Sequence, residues 1–336
     1  RVYAFVSSLS RSQRLYEPVP IPQHKLCHFL AIAQTSIYIL PLHSVLYHSA
    51  SPFPYPQSTE WMETPFITRW FLPALSGVLL ALSFPGPPLE GLASLYHPQW
   101  AYVGLLPLFF ALQNGEKRRA LYSGWLSGFT FNLLCLYWVA YTQGGGSAVV
   151  GGTLLLAIYL GLFVAIWALV IRKIVAHWGI FGWLAAPALW TTQEYALSLG
   201  ELGFPWLLLG HAQSGQTNLI QFASITGVYG VSFWVVSINV LLFLLCYAHG
   251  TRRASLGITL VALFALPWTH ARSAVNQGTP AQSLRIALIQ PNLSMEEKWG
   301  YGGLERSLER LERLSYDTVA RQPELIVWPE TALPCY

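Results

Sequence analysis

Charged side chains are scarce in this chain of 336 residues, which has 19 Lys and Arg and 15 Asp and Glu, 10% in all. Ordinary soluble domains carry roughly 25% charged residues. Hydrophobic residues make up 54% of the chain, and the mean hydropathy is +0.43. The shortage of charge therefore excludes an ordinary soluble protein and predicts a membrane protein. The net charge is +4, and the basic residues show no pattern of a nucleic-acid-binding groove. We therefore expect no nucleic-acid partner.

Cysteine is also scarce, and this excludes a dense disulfide framework. The four cysteines, Cys27, Cys135, Cys246 and Cys335, are far apart and form no CxxC pair, and the nine histidines are scattered along the chain. This pattern is unlike that of a structural zinc site. We expect no metal and no cofactor, and we interpret Cys135 and Cys246 as small apolar residues in lipid.

Long apolar segments recur from residue 66 onward. A hydrocarbon core of about 30 Å needs roughly 20 apolar residues in a helix. We predict seven spans, of which the first, second and seventh are short: 66–83, 98–113, 120–141, 151–171, 179–198, 218–247 and 255–270. Residues 1–65, rich in Ser, Pro, Tyr and His, predict a leader that is disordered or artefactual. The predicted membrane domain covers 66–271.

Basic residues alternate between the connecting segments. They fall at the start of the first span and after the second, fourth and sixth: Arg69, Lys117, Arg118, Arg119, Arg172, Lys173, Arg252 and Arg253. Loops 84–97, 142–150 and 199–217 contain no Lys or Arg. Because short cytoplasmic loops carry an excess of Lys and Arg, seven spans place everything after residue 271 on the extracytoplasmic side.

Charge becomes frequent from Arg285 onward, where a soluble domain is predicted over 282–336. An apolar run of strand length covers 284–290, an amphipathic helix covers 304–321, and a second apolar strand covers 325–328. Strand, helix and strand in this order predict a βαβ unit, whose functional groups tend to lie at strand ends. Two strands do not make a stable domain. We therefore expect the unit to be the beginning of a larger α/β domain.

Glu330 follows Trp328 and Pro329 at the tip of the second strand. Proline ends ladder pairing and stiffens the turn that carries the carboxylate. A carboxylate in this place is a candidate general base, and an exposed turn residue explains the pattern equally well. One carboxylate does not perform covalent chemistry by itself, so the sequence predicts part of an active site.

Four motifs in order carry a resemblance to a known family. They are Gly203-Phe-Pro-Trp-Leu-Leu-Leu-Gly-His-Ala-Gln213, Ile225-Thr-Gly-Val-Tyr-Gly-Val-Ser-Phe233, Arg285-Ile-Ala-Leu-Ile-Gln-Pro-Asn292 with Lys298-Trp299, and Val327-Trp-Pro-Glu-Thr-Ala-Leu-Pro334. Over about residues 70–334 the chain resembles the apolipoprotein N-acyltransferases, whose soluble part is of the nitrilase superfamily. The resemblance implies a multi-span helical membrane protein followed by the first βαβ of a nitrilase-like α/β sandwich.

The resemblance also implies the reaction and its partners. An acyl chain would pass from a glycerophospholipid, through a thioester on the enzyme, to the α-amine of an S-diacylglyceryl-cysteine, the last step of lipoprotein maturation. The expected partners are the phospholipid donor, the diacylglyceryl-lipoprotein acceptor and membrane lipid. The expected setting is the bacterial inner membrane, with the nitrilase-like domain on its periplasmic side, and we expect a monomer.

Glu330 matches the base of that family, which acts with a Cys nucleophile and a Lys. The Lys and the Cys would lie past Tyr336, so we expect the chain to be truncated and inactive. Cys335 lies in the same turn as Glu330, whereas the family's nucleophile lies on a later strand. We therefore do not expect Cys335 to replace it.

Two tryptophans and two acids complete the set of candidates. Trp299 matches the family's Trp near the site entrance, which implies contact with lipid chains, and Trp206 in the Gly-Phe-Pro-Trp loop is a candidate to line the lipid entry path. Interfacial anchoring stays open for both, because tryptophans are common at membrane interfaces. Glu194 is a candidate to orient that loop, and Glu201 is predicted to be solvated.

Two other classes of protein stay open. A membrane-anchored amidase of the nitrilase superfamily would share Glu330 but act on small carbon–nitrogen substrates. A transporter would need ionisable residues inside the spans or repeated, broken helices, and the sequence gives little sign of either.

Overall fold

The computed structural model describes residues 66–85, 95–113, 116–142, 146–275 and 283–333. The described residues form two compact units, one within 66–275 and the other within 283–333. The predicted leader, residues 1–65, lies outside the described residues, and so does Cys335.

Helices make up the first unit. Its α-helices within the described residues are α1 Leu72–Leu82, α2 Leu106–Gln113, α3 Lys117–Leu136, α4 Gly146–Trp178, α5 Ala186–Leu197, α6 Ala223–Leu245 and α7 Gly250–Val275. A π-helical turn, Ile67–Phe71, precedes α1. Short 3-10 turns connect or extend the helices: Pro98–Tyr102, Tyr137–Tyr141, Gly179–Ala185, Pro205–Leu207 and Leu209–Gln213.

Three helical stretches in the described part of the chain are long and apolar enough to cross a membrane: Gly146–Leu197, Ala223–Leu245 and Gly250–Ser273. The first joins α4, a 3-10 turn and α5, so it contains two of the predicted spans. Ile67–Leu82 is a shorter apolar helix. The prediction of a helical membrane protein is thus confirmed, and the number of seven spans stays a prediction.

The predicted span at 98–113 differs from the observed structure. It consists of a 3-10 turn, Pro98–Tyr102, and the eight-residue α2, which is about 12 Å long at 1.5 Å per residue. Asn239 of α6 binds the backbone at the break, because its Nδ2 donates to the Ala101 carbonyl at 2.8 Å and its Oδ1 accepts from Leu105 N at 3.0 Å. Backbone polar groups freed by a broken helix need such partners away from water.

Small residues bring α3 and α4 into close contact. A Cβ atom added at Gly124 of α3 would lie 2.5 Å from Ala168 Cβ and 2.6 Å from the Val164 carbonyl oxygen of α4. Membrane helices associate through such close packing, because lipid provides no hydrophobic driving force between them. Aromatic rings fill the neighbouring core, where the Trp183 ring lies 4.7 Å from that of Phe109 and 4.9 Å from that of Phe243.

A glycine breaks α6 near its beginning. Gly227 has φ 65° and ψ −173°, a conformation that residues with a Cβ rarely adopt. The predicted span over 218–247 therefore becomes a regular helix only after this residue.

The second unit contains the predicted βαβ order. Its elements are β1 Ile286–Leu288, α8 Met295–Trp299, α9 Gly303–Val319 and β2 Leu325–Val327. The strands pair in parallel, with Ile286 opposite Leu325 and Leu288 opposite Val327. The carboxyl ends of both strands therefore meet at one edge. The short helix α8 was not predicted.

Candidate functional site

Glu330 lies in the turn that follows β2, and its side chain is exposed. Pro329 immediately precedes it and has no N–H to continue the ladder, so the chain leaves the sheet here. Trp328 fixes the start of the turn, because its Nε1 donates to Ser315 Oγ of α9 at 3.0 Å. The carboxylate thus projects from an anchored turn at the carboxyl edge of the strands, where it is accessible to a ligand.

A hydrogen bond joins this turn to the segment that follows β1. Lys298 Nζ donates to Thr331 Oγ1 at 2.6 Å. Thr331 has φ 54°, a left-handed conformation that is uncommon for a β-branched residue. The bond therefore secures a strained position directly beside Glu330, and it places a cation at the same edge of the sheet.

Trp299 lies at this edge too. Its side chain is 44% exposed, and Lys298 Nζ lies 5.8 Å from the centre of its ring. Lys298, the neighbour of Trp299, is bonded to Thr331, the neighbour of Glu330. The structure therefore brings Trp299 and the turn of Glu330 to one site.

A capping box fixes the start of α8. The Ser294 Oγ accepts from Glu297 N at 3.2 Å, and Glu297 Oε2 accepts from Ser294 N at 2.8 Å. Hydrogen bonds to the Glu297 carboxyl from Ser294, first from its backbone N–H and then from its side chain, hold the pKa of that carboxyl below its usual value. Arg306 of α9 donates through Nη2 to the Glu297 carbonyl at 3.0 Å. The segment that carries Lys298 and Trp299 is therefore well supported.

Trp206 belongs to the helical unit and occupies the loop before α6. Its side chain is 58% exposed, and its ring stacks on that of Trp138, with centres 6.0 Å apart and planes 3° apart. Both rings line a cavity of about 210 Å³, which Phe84, Leu134 and Cys135 also line. The side chains that line it are apolar, which suits a hydrocarbon ligand.

Glu194 contacts the same loop from α5. The side chain is 5% exposed, and its Oε1 accepts from Leu209 N at 2.7 Å and from Trp190 Nε1 at 2.9 Å. The residue predicted to orient the loop is thus hydrogen-bonded to it. Glu201 is exposed.

Two sets of contacts were missed by sequence reasoning. One is the Lys298–Thr331 bond, since the position of Lys298 depends on the unpredicted helix α8. The other is the pair of buried amides, Gln213 and Asn239, which bind backbone carbonyls of the turn Pro98–Tyr102. Polar amides within apolar sequence were the only signal for these. Among the described residues, no three His, Cys, Asp or Glu side chains are grouped as metal ligands.

The first unit, with its long apolar helices and a non-helical loop held among them, defines a helical membrane protein, and the second unit adds a βαβ element with an accessible carboxylate. Residues 76–241 match the family model of the apolipoprotein N-acyltransferase N-terminal domain. Over these residues the chain is similar to the apolipoprotein N-acyltransferases.

Curated relatives match a longer part of the chain than the family model does. The chain is 35% identical to an apolipoprotein N-acyltransferase of Chlorobaculum tepidum over 277 residues, which is 80% of this chain and 50% of the relative. It is 32% identical to one of Geobacter metallireducens, over 80% of this chain and 52% of the relative, and 30% identical to one of Pseudomonas syringae pv. tomato, over 79% and 54%. The chain spans about half the length of the curated relatives it matches.

Proposed function

We propose that this chain supplies the membrane part and the general base of a phospholipid to apolipoprotein N-acyltransferase. One observation supports the proposal: the Lys298–Thr331 bond joins the segment of Trp299 to the turn of Glu330 at the carboxyl edge of the parallel strands. Because the chain is similar to the apolipoprotein N-acyltransferases, that edge is the expected place for the base. The acceptor is then the α-amine of an S-diacylglyceryl-cysteine, and the donor is a glycerophospholipid.

The proposed role of Glu330 follows from the chemistry of thiols. A cysteine thiol with a pKa of about 8.5 is mostly protonated near neutral pH. Glu330 takes the thiol proton as the sulfur attacks the ester carbonyl, an S–C bond forms, and the lysophospholipid alcohol leaves with a proton. The lipoprotein amine then attacks the thioester, an N–C bond forms, and the thiol is restored. No residue of this chain matches the family's Cys or Lys, so we expect no transfer by the chain alone.

The proposal extends to the architecture. Seven spans would surround the loop that carries Trp206, and residues 282–336 would begin a nitrilase-like α/β domain outside the inner membrane of a bacterium. The alternating basic loops support that orientation. Both substrates carry acyl chains that water disfavours, so a site at the membrane surface would let them enter laterally. Trp299 and the cavity beside Trp206 would contact those chains.

A chimera tests the function. The matched residues of this chain would replace the matched half of the Chlorobaculum tepidum relative, and transfer of a labelled acyl chain from phospholipid to a diacylglyceryl peptide would be measured. We expect transfer by the chimera and a loss of roughly 100-fold or more in Glu330→Gln, because general bases contribute about 10²–10⁴-fold. Glu312→Gln, an exposed glutamate of α9, is the matched control and should retain full activity.

Two results would contradict the proposal. Full transfer by Glu330→Gln would exclude the carboxylate as the base. Hydrolysis of a small amide by the chimera, without acyl transfer to the peptide, would favour a membrane-anchored amidase instead.

A further inference from the structure

We propose that Glu194 is a positioning residue that fixes the loop 205–213 and thereby holds Trp206 at the apolar cavity. The inference rests on the proposed function for the identity of the ligand, an acyl chain. Glu194 does not contact that ligand, but it determines the position of Trp206, which does.

The loop has an irregular backbone within the helical unit. It consists of two 3-10 turns, Pro205–Leu207 and Leu209–Gln213, with Leu208 between them in an extended conformation. Regular helix hydrogen bonding is therefore interrupted, and buried N–H groups need other partners. In membrane proteins such backbone is tolerated where it is buried in protein or lines a cavity.

Glu194 supplies the first partner. Two of its hydrogen bonds, from Leu209 N and from Trp190 Nε1, end on the same oxygen, Oε1. The bond from the loop therefore needs one carbonyl-type oxygen at this point. Glutamine has such an oxygen in the same place, whereas alanine has none.

Ser232 of α6 supplies the second partner, because its Oγ accepts from Gly210 N at 2.8 Å. A Cβ atom added at Gly210 would lie 2.5 Å from the Val228 carbonyl oxygen, so the loop lies directly against α6. Gln213 fixes the last residue of the loop. Its Nε2 donates to the Pro98 carbonyl at 2.8 Å, and its Oε1 accepts from the Tyr102 hydroxyl at 2.7 Å.

The contacts divide the loop into a fixed part and an exposed aromatic residue. Leu208, Leu209 and Ala212 are buried, whereas Trp206 is mostly exposed and stacked on Trp138. Only Leu207 separates Trp206 from Leu208, the first residue of the buried part. Losing the Glu194 bond should therefore loosen Leu209 and shift the stacked ring away from the cavity.

Hydrogen exchange of the complete chain in lipid nanodiscs tests whether Glu194 holds the loop 205–213 in place. In Glu194→Ala the amides of Leu209 and Gly210 should exchange roughly tenfold faster or more, because the acceptor of the buried Leu209 N–H is lost. Glu194→Gln should stay within about threefold of the parent, since the acceptor oxygen is retained. Thr192→Ala is the control, because Thr192 is an exposed residue of α5 that binds only the Ala188 carbonyl of its own helix.

A second readout follows the consequence for Trp206. Nanodiscs of dibromostearoyl phosphatidylcholine should quench tryptophan fluorescence, and the part lost in Trp206→Phe belongs to Trp206. We expect this part to fall by roughly half or more in Glu194→Ala and to be retained in Glu194→Gln, as the hydrogen-bond argument predicts. A general weakening of the fold would not be rescued by glutamine in this way.

Unchanged exchange at Leu209 in Glu194→Ala, or equal behaviour of the alanine and glutamine variants, would overturn the proposal. If Glu194→Ala does not fold, Ser232→Ala removes the neighbouring contact with the loop. We then expect the Gly210 amide to exchange faster than it does in Thr192→Ala. Unchanged exchange at Gly210 would contradict the proposal that these side-chain contacts hold the loop in place. Exchange involves no acyl transfer, so failure of the chimera would count against the proposed function alone.

Discussion

Lys298 connects two segments that are 33 positions apart in sequence, through its bond to Thr331. The bond supports the turn that presents Glu330. Lys298→Met removes the donor, and we expect the rate of acyl transfer by the chimera to fall by roughly threefold to tenfold, the value of one ordinary hydrogen bond. Single-turnover transfer of labelled acyl chains would measure it.

Arg313→Met is the control for this prediction, because it removes an exposed cation from α9 of the same unit. An equal loss in both variants would mean that general charge matters and not the bond to Thr331.

Single residues differ in how well the sequence predicts their positions. Glu330 could be placed, because an apolar strand followed by proline indicates where a chain leaves a sheet. The contact of Glu194 with its loop could be suggested, because a carboxylate in apolar sequence needs a partner. The Lys298–Thr331 bond could not be predicted, since it depends on the direction of a five-residue helix.

The contact between α3 and α4 depends on the absence of a side chain at Gly124. A methyl group there would lie 2.5 Å from Ala168 Cβ, so Gly124→Ala must force the helices apart. Overpacking of this kind costs about 1–3 kcal/mol, and we expect the midpoint of thermal unfolding in detergent to fall by several degrees.

Gly151→Ala is the matched control in α4, because a Cβ there would meet nothing within 4 Å. Both variants gain the higher helix propensity of alanine, so only packing distinguishes them. An equal midpoint for the two variants would contradict the close contact.

Whole elements were predictable where the pattern is local. Apolar strands around an amphipathic helix gave the βαβ order within a few residues, because each element carries its own periodicity. The break before α2 was not predictable, because Asn239, the residue that stabilises it, lies 134 positions from the amide of Leu105 that it binds. Gly227 gave no clear signal either, since glycine is also common inside packed membrane helices.

The orientation of the chain is a prediction about the complete protein. With seven spans, alkaline phosphatase fused after residue 336 should be active in a bacterial host, and the same reporter fused after Glu116 should be inactive, because this enzyme matures only outside the cytoplasm. β-Galactosidase fusions at both sites should give the reverse pattern. Phosphatase activity at residue 116 but not at residue 336 would invert the proposed topology.

Helix α7 buries little of its surface within the described residues. Ile258 and Leu266, for example, are 71% and 68% exposed. In a bilayer the neighbours of such side chains are acyl tails, and the cost of placing the helix varies with the thickness of the hydrocarbon layer. The tilt of α7 should therefore depend on the lipid composition of the host membrane. A change in growth temperature that alters the length of the acyl tails should change the tilt of α7 more than that of the tightly packed α3 and α4.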